Sequence, residues 1–321
     1  AYHAERAKAV IALTLTAGSV AVSKDSPPVF NNILAYKDEV VPWMKRLADD
    51  CHEAGAAVMI QLTHLGRRTR WDKGDWLPVV APSHEREASH RAFPKRMEDW
   101  DMARIIEDFA DAAERMKAAG VDGIELEAYG HLLEQFWSPL TNDLEAPYGG
   151  SLDNRLRFTF DVLRAIRQRC GPEFIVGLRY TGDQALAGGM TAAEGMEVSH
   201  KLKNSGLIDF LNVVKGHIDT DAGLTDLIPI QGMKNAPHLD FAGEIRAATD
   251  ALAAKVAVNF RDYNGYARNV ITGNRLDGAN VKSVRGALEY DTGGAFDSTL
   301  VVDWMKQDTT GPAPHVLDNG D

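Results

Sequence analysis

The sequence predicts an α/β fold of the (β/α)8 TIM-barrel type, and three observations carry that expectation. Short apolar, β-branched runs alternate strictly with amphipathic helical stretches, the order that builds parallel crossovers. The segments that leave the strand ends are long and polar, whereas the helix-to-strand returns are only a few residues, as in barrels whose loops carry the site. No Gly-x-Gly-x-x-Gly follows the first strand and no Walker lysine follows any other, which removes the main alternatives among doubly wound sheets.

In chain order, residues 10–16 read as a buried parallel strand, stopped by Ala17-Gly18-Ser19 and feeding a loop. A helix follows over 37–53, with Val40, Val41, Met44, Leu47, Ala48 and Cys51 on one face and Gly55 closing it. The pattern then repeats: strand 57–62, helix 102–119, strand 121–126, helix 152–169, strand 174–180, helix 192–204, strand 208–214, helix 240–252 and strand 255–259. The long polar segments are 19–36, 63–100, 129–150 and 216–238. Beyond Phe260 the chain turns rich in Gly, Asp, Asn and Thr, and 298–302 is only a weak strand candidate. The expected division is therefore a barrel portion over 1–260 and a divergent tail over 261–321.

Composition narrows the function. The 321 residues carry 46 acidic and 35 basic side chains, a formal charge of −11, which argues against a nucleic-acid or anionic-membrane surface. A hydrophobic share of 45% supports a real core. Two cysteines, Cys51 and Cys170, are too few for a disulfide framework, a four-thiolate iron–sulfur site or a cysteine-rich zinc site. A reducing compartment follows. The longest apolar stretches, such as 10–22, are broken by Thr, Ser and Gly and lack the layout of an export signal, so no membrane span is expected and the cytoplasm is the expected location. No metal-ligand spacing appears among His, Cys, Asp and Glu, and Ser138 before Pro139 lacks a nucleophile-elbow setting.

Four groups of residues could carry chemistry. Gln61, Thr63, His64, Gly66 and Arg67 leave the second strand together, and alternation places Gln61 at the barrel mouth, where an amide can bond one edge of a planar heterocycle. A loop-capping amide is the alternative. Arg179 lies inside an otherwise apolar strand, which is expensive unless it meets an anion or a reduced, negatively charged cofactor; a pair with Asp183 or Glu127 is the alternative. Glu127, Tyr129 and His131 cluster at the end of the third strand, where carboxylate, phenol and imidazole could polarise, deprotonate or cage a substrate; a core histidine is the alternative for His131. Trp71 and Trp76, with Trp137, could wall a cation, although loop aromatics more often pin the loop itself.

These residues reach a family. Gln61-Leu-Thr-His-Leu-Gly-Arg67, the stretch 112–123 leading into Glu125-Leu-Glu-Ala-Tyr-Gly-His131, Gln135-Phe-Trp-Ser-Pro-Leu-Thr-Asn142, and Tyr148-Gly-Gly-Ser-Leu-Asp-Asn-Arg-Leu-Arg-Phe158 resemble the old yellow enzyme family of FMN-dependent barrels. The resemblance covers residues 1–260, and its motifs are highly specific. The Glu-Ala-Tyr-Gly-His variant is similar to the amine-oxidising branch, which includes trimethylamine and histamine dehydrogenases and the demethylases of dimethylglycine and N-methylproline. It implies that Gln61 bonds the flavin pyrimidine edge, that Arg179 sits near N1 and O2, and that Thr16, Ala17 and Gly18 line the isoalloxazine. Glu127, Tyr129 and His131 become the expected catalytic residues, and His64, Trp71, Trp76, His217 and Asp221 the expected substrate side.

The resemblance also implies departures. The family's first strand would lie before Ala1, so the chain reads as barrel strands two to seven. The seventh-strand position, Ala257-Val-Asn-Phe260, lacks the Gly-Arg of the phosphate-binding turns, and no eighth-strand equivalent follows. Where ene-reductases of the family carry a His-x-x-His or His-x-x-Asn pair, this chain has Glu127 and Tyr129. The expected function is FMN-dependent oxidation of an N-methyl amine to an iminium, releasing formaldehyde and the demethylated amine. The alternatives are an NAD(P)H-dependent reductase of activated alkenes and a non-catalytic barrel remnant without flavin. No iron–sulfur cluster is expected within this chain. The expected partners are a small-molecule amine and an electron acceptor that the residues do not specify; self-association is left open, and nucleic acid and membrane are excluded.

Overall fold

The computed structural model describes residues 2–9, 11–26, 32–68, 77–88, 93–228 and 237–249, with backbone alone at 17–19, together with strand segments between 253 and 309. Trp71 and Trp76 lie outside the described residues. The chain divides into two compact units, residues 1–8 with 12–249, and residues 9–11 with 250–321.

The first unit opens with α1 (Tyr2–Lys8), β1 (Leu13–Ala21), α2 (Val40–Glu53) and β2 (Ala57–Thr63). A long loop carries the paired two-residue strands β3 (Val80–Ala81) and β4 (Lys95–Arg96). Then come α3 (Asp99–Ala118), β5 (Gly123–Ala128), α4 (Leu132–Trp137), α5 (Leu152–Cys170), β6 (Ile175–Asp183), α6 (Ala192–Ser205), β7 (Phe210–Lys215), α7 (Asp221–Leu227) and α8 (Leu239–Thr249). Strands β1, β2, β5, β6 and β7 form one parallel sheet in that order, so each strand sits beside its predecessor in the alternation and the unit is half of a (β/α)8 barrel.

The helices start and stop where local chemistry directs. The Asp101 carboxylate accepts from the Glu98 backbone N–H at 2.9 Å in a capping box at the start of α3, whose first buried apolar residue is Met102. Thr191 and Glu194 make a reciprocal capping box on α6, and Gly206 closes it in the left-handed region. On α2, Val40, Met44, Ala48 and Cys51 are buried, at the spacing that makes one stripe.

The sheet has two distinct faces. Tyr180 Oη donates to the Gly195 carbonyl of α6 at 3.5 Å, so the face bearing Leu178 and Tyr180 packs on helices. Ile60, Leu62, Ile124, Leu126 and Val176 are fully buried on that side. Alternation sends Gln61, Glu125, Glu127, Arg179 and Asn212 to the opposite, concave face.

Two short connections hold the mouth of this half barrel. Phe136 of α4 stacks on Phe158 of α5, centroids 4.2 Å apart and planes 12° from parallel, and Trp137 Nε1 donates to Thr159 Oγ1 at 2.8 Å. Arg155 donates to the Trp137 carbonyl and, at 2.6 Å, to Glu194 of α6, which ties three helices together. Trp137 is thus a fully buried core residue and not part of an aromatic wall.

The second unit contains β8 (Ala253–Tyr263), β9 (Ala267–Arg268), β10 (Arg275–Leu276), β11 (Ala279–Asp291) and β12 (Asp297–Thr309). β9 pairs antiparallel with β10, and β12, β11 and β8 form an antiparallel sheet in that order, with Ser283 opposite Asn259 and Met305. The strand expected over 255–259 therefore forms, but antiparallel to β11 and outside the parallel sheet. A five-residue run shows that a strand will form, not which neighbour completes its ladder, and the strand that follows later in the chain supplies it. The tail holds two 13-residue strands, where the sequence suggested only 298–302.

Candidate active site

The concave face of the first unit is built in rows set by strand register. Gln61 lies beside Glu125, which lies beside Gly177, which lies beside Phe210; Glu127 lies beside Arg179, which lies beside Asn212. Gly177 makes room there for the Phe210 ring, which a Cβ would meet at 1.9 Å. Gln61 Nε2 donates to Glu125 Oε1 at 2.6 Å, and Asn212 Nδ2 donates to Glu125 Oε2 at 2.9 Å, so three strands converge on one buried carboxylate.

At the strand ends Glu127, Tyr129 and His131 come together as their spacing suggested. The Tyr129 phenol donates to the Glu127 carboxylate. His131 Nδ1 lies 3.0 Å from Glu127 Oε2 and 3.2 Å from Thr63 Oγ1. The Tyr129 and His131 rings have centroids 5.5 Å apart, and the Arg179 guanidinium lies over the Tyr129 ring, 4.5 Å from its centroid. Burial, then the charge of Glu127, pushes the Tyr129 phenol well above its ordinary value, with Arg179 opposing. The phenol therefore stays protonated at neutral pH and acts as a donor, not a base.

The turn that presents these groups is held by Glu134, a fully buried carboxylate on α4. It accepts from the Gly130 N–H, from Thr181 Oγ1 at 2.7 Å and from Gln184 Nε2. Burial raises its carboxyl and the three donors oppose that rise. Gly130 takes a φ of 65°, and a Cβ there would lie 2.0 Å from Ile218 Cδ1, so the close turn needs glycine. Sequence reasoning passed over Glu125, Asn212 and Glu134. The Ile-Glu-Leu-Glu alternation could have placed Glu125 on the face of Glu127, but no local signal marks the other two.

Other expected site residues fall elsewhere. β1 continues through 17–19 to Ala21 with a register shift between Thr16 and Val20, so these residues are strand and not loop. Thr16 pairs with Ile60, which puts it on the face away from Gln61, and its buried Oγ1 has no partner among the described residues. His64 Nδ1 accepts from the Gly66 N–H at 3.0 Å and its Nε2 lies 2.9 Å from Asp25 Oδ1, so the buried ring anchors its own loop. His217 is likewise engaged, by the Gln184 carbonyl at 3.0 Å and Thr220 Oγ1 at 2.9 Å. Asp221 is exposed at the start of α7. Asp183, one alternative partner for Arg179, is paired with Lys215 at 2.9 Å.

A cavity of about 460 Å³ lies away from this face, lined by Val22, Asp25, Tyr36, Trp100, Arg104 and Asp108 among others. Two of its acids share one cation: Arg104 bonds Asp25, and also Asp108 at 2.8 Å. Burial alone would raise the Asp25 carboxyl, but His64, Ser23 and Arg104 hold it well below the usual carboxylate range. Its stabilising effect is thus present above the unfolded value of 3.8 and is lost as pH falls through the lower folded value. The stability gap between wild type and Asp25→Asn should be widest near neutrality and close only in strong acid. A gap in urea unfolding that is unchanged from pH 7 down to strong acid would contradict this.

The concave face suits the edge of the flavin that the resemblance implies. Arg179, in the row of Glu127 and Asn212, has a buried Nε with no hydrogen-bond partner among the described residues, and Gln61 offers an amide on the same concave face in the row of Glu125. No group of three or more His, Cys, Asp or Glu able to hold a metal occurs among the described residues, and none of their helices is long and apolar enough to cross a membrane.

Comparison with known proteins adds to this geometry. Residues 1–223 match the NADH:flavin oxidoreductase / NADH oxidase family. A probable N-methylproline demethylase of Rhizobium meliloti (strain 1021) is 73% identical over 250 residues, covering 78% of this chain and 37% of that protein. A multifunctional alkene reductase/demethylase of Caballeronia cordobensis is 44% identical over 260 residues, covering 80% of this chain and 38% of that protein. The chain thus spans less than half the length of these relatives. The solved histamine dehydrogenase from Rhizobium sp. 4-9 superposes with a TM-score of 0.68 at 22% identity, covering 78% of this chain and 36% of that one, a likeness of fold.

Proposed function

The chain belongs to the NADH:flavin oxidoreductase / NADH oxidase family, and on that premise we propose that it binds FMN and serves in the oxidative demethylation of an N-methyl amine. The observation that carries this reading is the buried Glu127 carboxylate, bonded by the Tyr129 phenol, beside His131, with Arg179 across the Tyr129 ring. The 73% identity to a probable N-methylproline demethylase supports the substrate class. Gln61 and Arg179 would hold the heterocycle edge. FMN held there would supply the two-electron oxidant for the carbon next to nitrogen, taking up its hydride equivalent, and water would split the resulting iminium into formaldehyde and the demethylated amine.

The residues of this chain supply orientation and electrostatics. Glu127 attracts the cationic amine, and its burial then favours the neutral form whose lone pair the oxidation needs. Tyr129, held as a phenol, donates to Glu127 and fixes that carboxylate's direction. Arg179 would supply positive charge to the part of the flavin where reduction leaves negative charge. The same face serves an alkene reductase less well, because an enone oxygen needs a free donor and the Tyr129 phenol already donates to Glu127. Cys51 and Cys170, the two cysteines of the chain, supply no four-thiolate cluster, so we assign none to it.

The test is anaerobic. Dimethylglycine or N-methylproline should bleach the blue absorbance of the FMN-loaded chain, with a rate that rises with pH. Bleaching by NADPH with turnover of cyclohexenone, and none by any N-methyl amine, would replace this reading with the alkene reductase. Arg179→Ala should weaken FMN binding and lower the midpoint potential, since a cation favours the reduced, anionic form. An unchanged potential in that variant would remove Arg179 from the flavin edge.

A further inference from the structure

Glu125 is buried at the centre of the concave face, and both of its oxygens are engaged, one by Gln61 Nε2 at 2.6 Å and one by Asn212 Nδ2 at 2.9 Å. No cation pairs with it among the described residues. Both carboxyl oxygens accept from an amide, so Gln61 and Asn212 each turn the NH2 group toward Glu125 and the carbonyl oxygen away. A flipped Gln61 would press its carbonyl oxygen against the Glu125 oxygen that now accepts from it, acceptor against acceptor in a buried site, which the low local dielectric makes costly. The polarity of Gln61 is therefore set before any ligand arrives.

We infer that Glu125 is a positioning residue that fixes the Gln61 carbonyl as an acceptor toward the ligand, so that this chain selects a flavin edge bearing a ring N–H. The inference rests on the flavin reading above. The pyrimidine edge of FMN offers one N–H, at N3, between two carbonyls; the Gln61 oxygen suits that N–H, and the second amide hydrogen of Nε2 suits a neighbouring carbonyl. Without Glu125, Gln61 could rotate and oppose donor to donor. Asn212 is held by the other carboxylate oxygen, and its removal would leave the Gln61 contact in place.

The experiment compares FMN with 3-methyl-FMN, whose N3 carries no hydrogen, by quenching of flavin fluorescence on the full chain. Wild type should prefer FMN by about tenfold, the size expected when one buried hydrogen bond is left unmade. Glu125→Gln should bind FMN about tenfold more weakly and 3-methyl-FMN unchanged, closing the gap, whereas Asn212→Ala should keep the preference. If Glu125→Gln fails to fold by circular dichroism, Glu125→Asp takes its place, because it keeps the charge but draws the carboxylate back from Gln61. Equal binding of the two flavins by wild type overturns the inference, as does an undiminished preference in the folded Glu125 variant. Failure of wild type to bind either flavin is a separate result, which overturns the flavin reading and this inference with it.

Discussion

Glu127→Gln is expected to slow anaerobic reduction of the FMN-loaded chain by N-methylproline at least about tenfold, through lost transition-state electrostatics. The substitution keeps the shape of the side chain and removes its charge. Three groups converge on that charge: the Tyr129 phenol that donates to it, His131 Nδ1 at 3.0 Å, and the ammonium it would attract. A glutamine presents one oxygen and one NH2 group, so its NH2 must face one of the donors that the carboxylate accepts. Wild-type reduction should quicken as pH rises, because the amine must lose its proton before the carbon next to nitrogen can lose hydride. Tyr129 cannot supply the rising limb, since burial and Glu127 keep its phenol protonated well above the working range. In the variant the push from Glu127 disappears, so the phenol should titrate lower than in wild type. Stopped-flow traces read the rate, and a variant within about twofold of wild type would show that Glu127 is a scaffold carboxylate.

Phe158→Ala should cost about 3–5 kcal/mol of stability, the range for an aromatic lost from a closed core. Phe158 is fully buried, stacks on Phe136, and sits one residue before Thr159, which receives the Trp137 N–H. These contacts join α4 to α5, and α4 carries the Glu134 that holds the Tyr129–His131 turn. Collapse of the vacated space is hindered because Trp137 is anchored at both its ring nitrogen and its carbonyl. The loss is read as a fall in the urea midpoint at constant slope. A change under about 1 kcal/mol would mean that the neighbouring helices repack into the gap. Loss of the proposed demethylation should accompany the fall, since the turn depends on α4.

Much of the half barrel is legible in the chain because its signals are local. The strand expected at 57–62 appears as Ala57–Thr63, and the helix at 152–169 as Leu152–Cys170, because β-branched runs, caps and closing glycines act within a few residues. The grouping of Glu127, Tyr129 and His131 is legible for the same reason: a strand that ends in a tight glycine turn brings side chains four residues apart onto one rim. The partners of His64 and His217 are not, since Asp25 lies 39 residues from one and Gln184 lies 33 from the other.

The sequence by itself determined the alternation of strand and helix, the acidic, cysteine-poor character of the chain, and the residue types gathered at the end of the third strand. The tertiary structure alone decided how those pieces meet. Register with β2 turned Thr16 away from Gln61, packing between α4 and α5 took Trp137 into the core, and antiparallel pairing with β11 took residues 255–259 out of the parallel sheet. Glu125 shows the difference most clearly, because its partners lie 64 residues before it and 87 after it. Periods of 2.0 and 3.6 fix which side of its own element a residue takes. Which elements become neighbours, and in what register, is settled by burial and hydrogen bonding summed over the whole sheet, and no short window of sequence contains that sum.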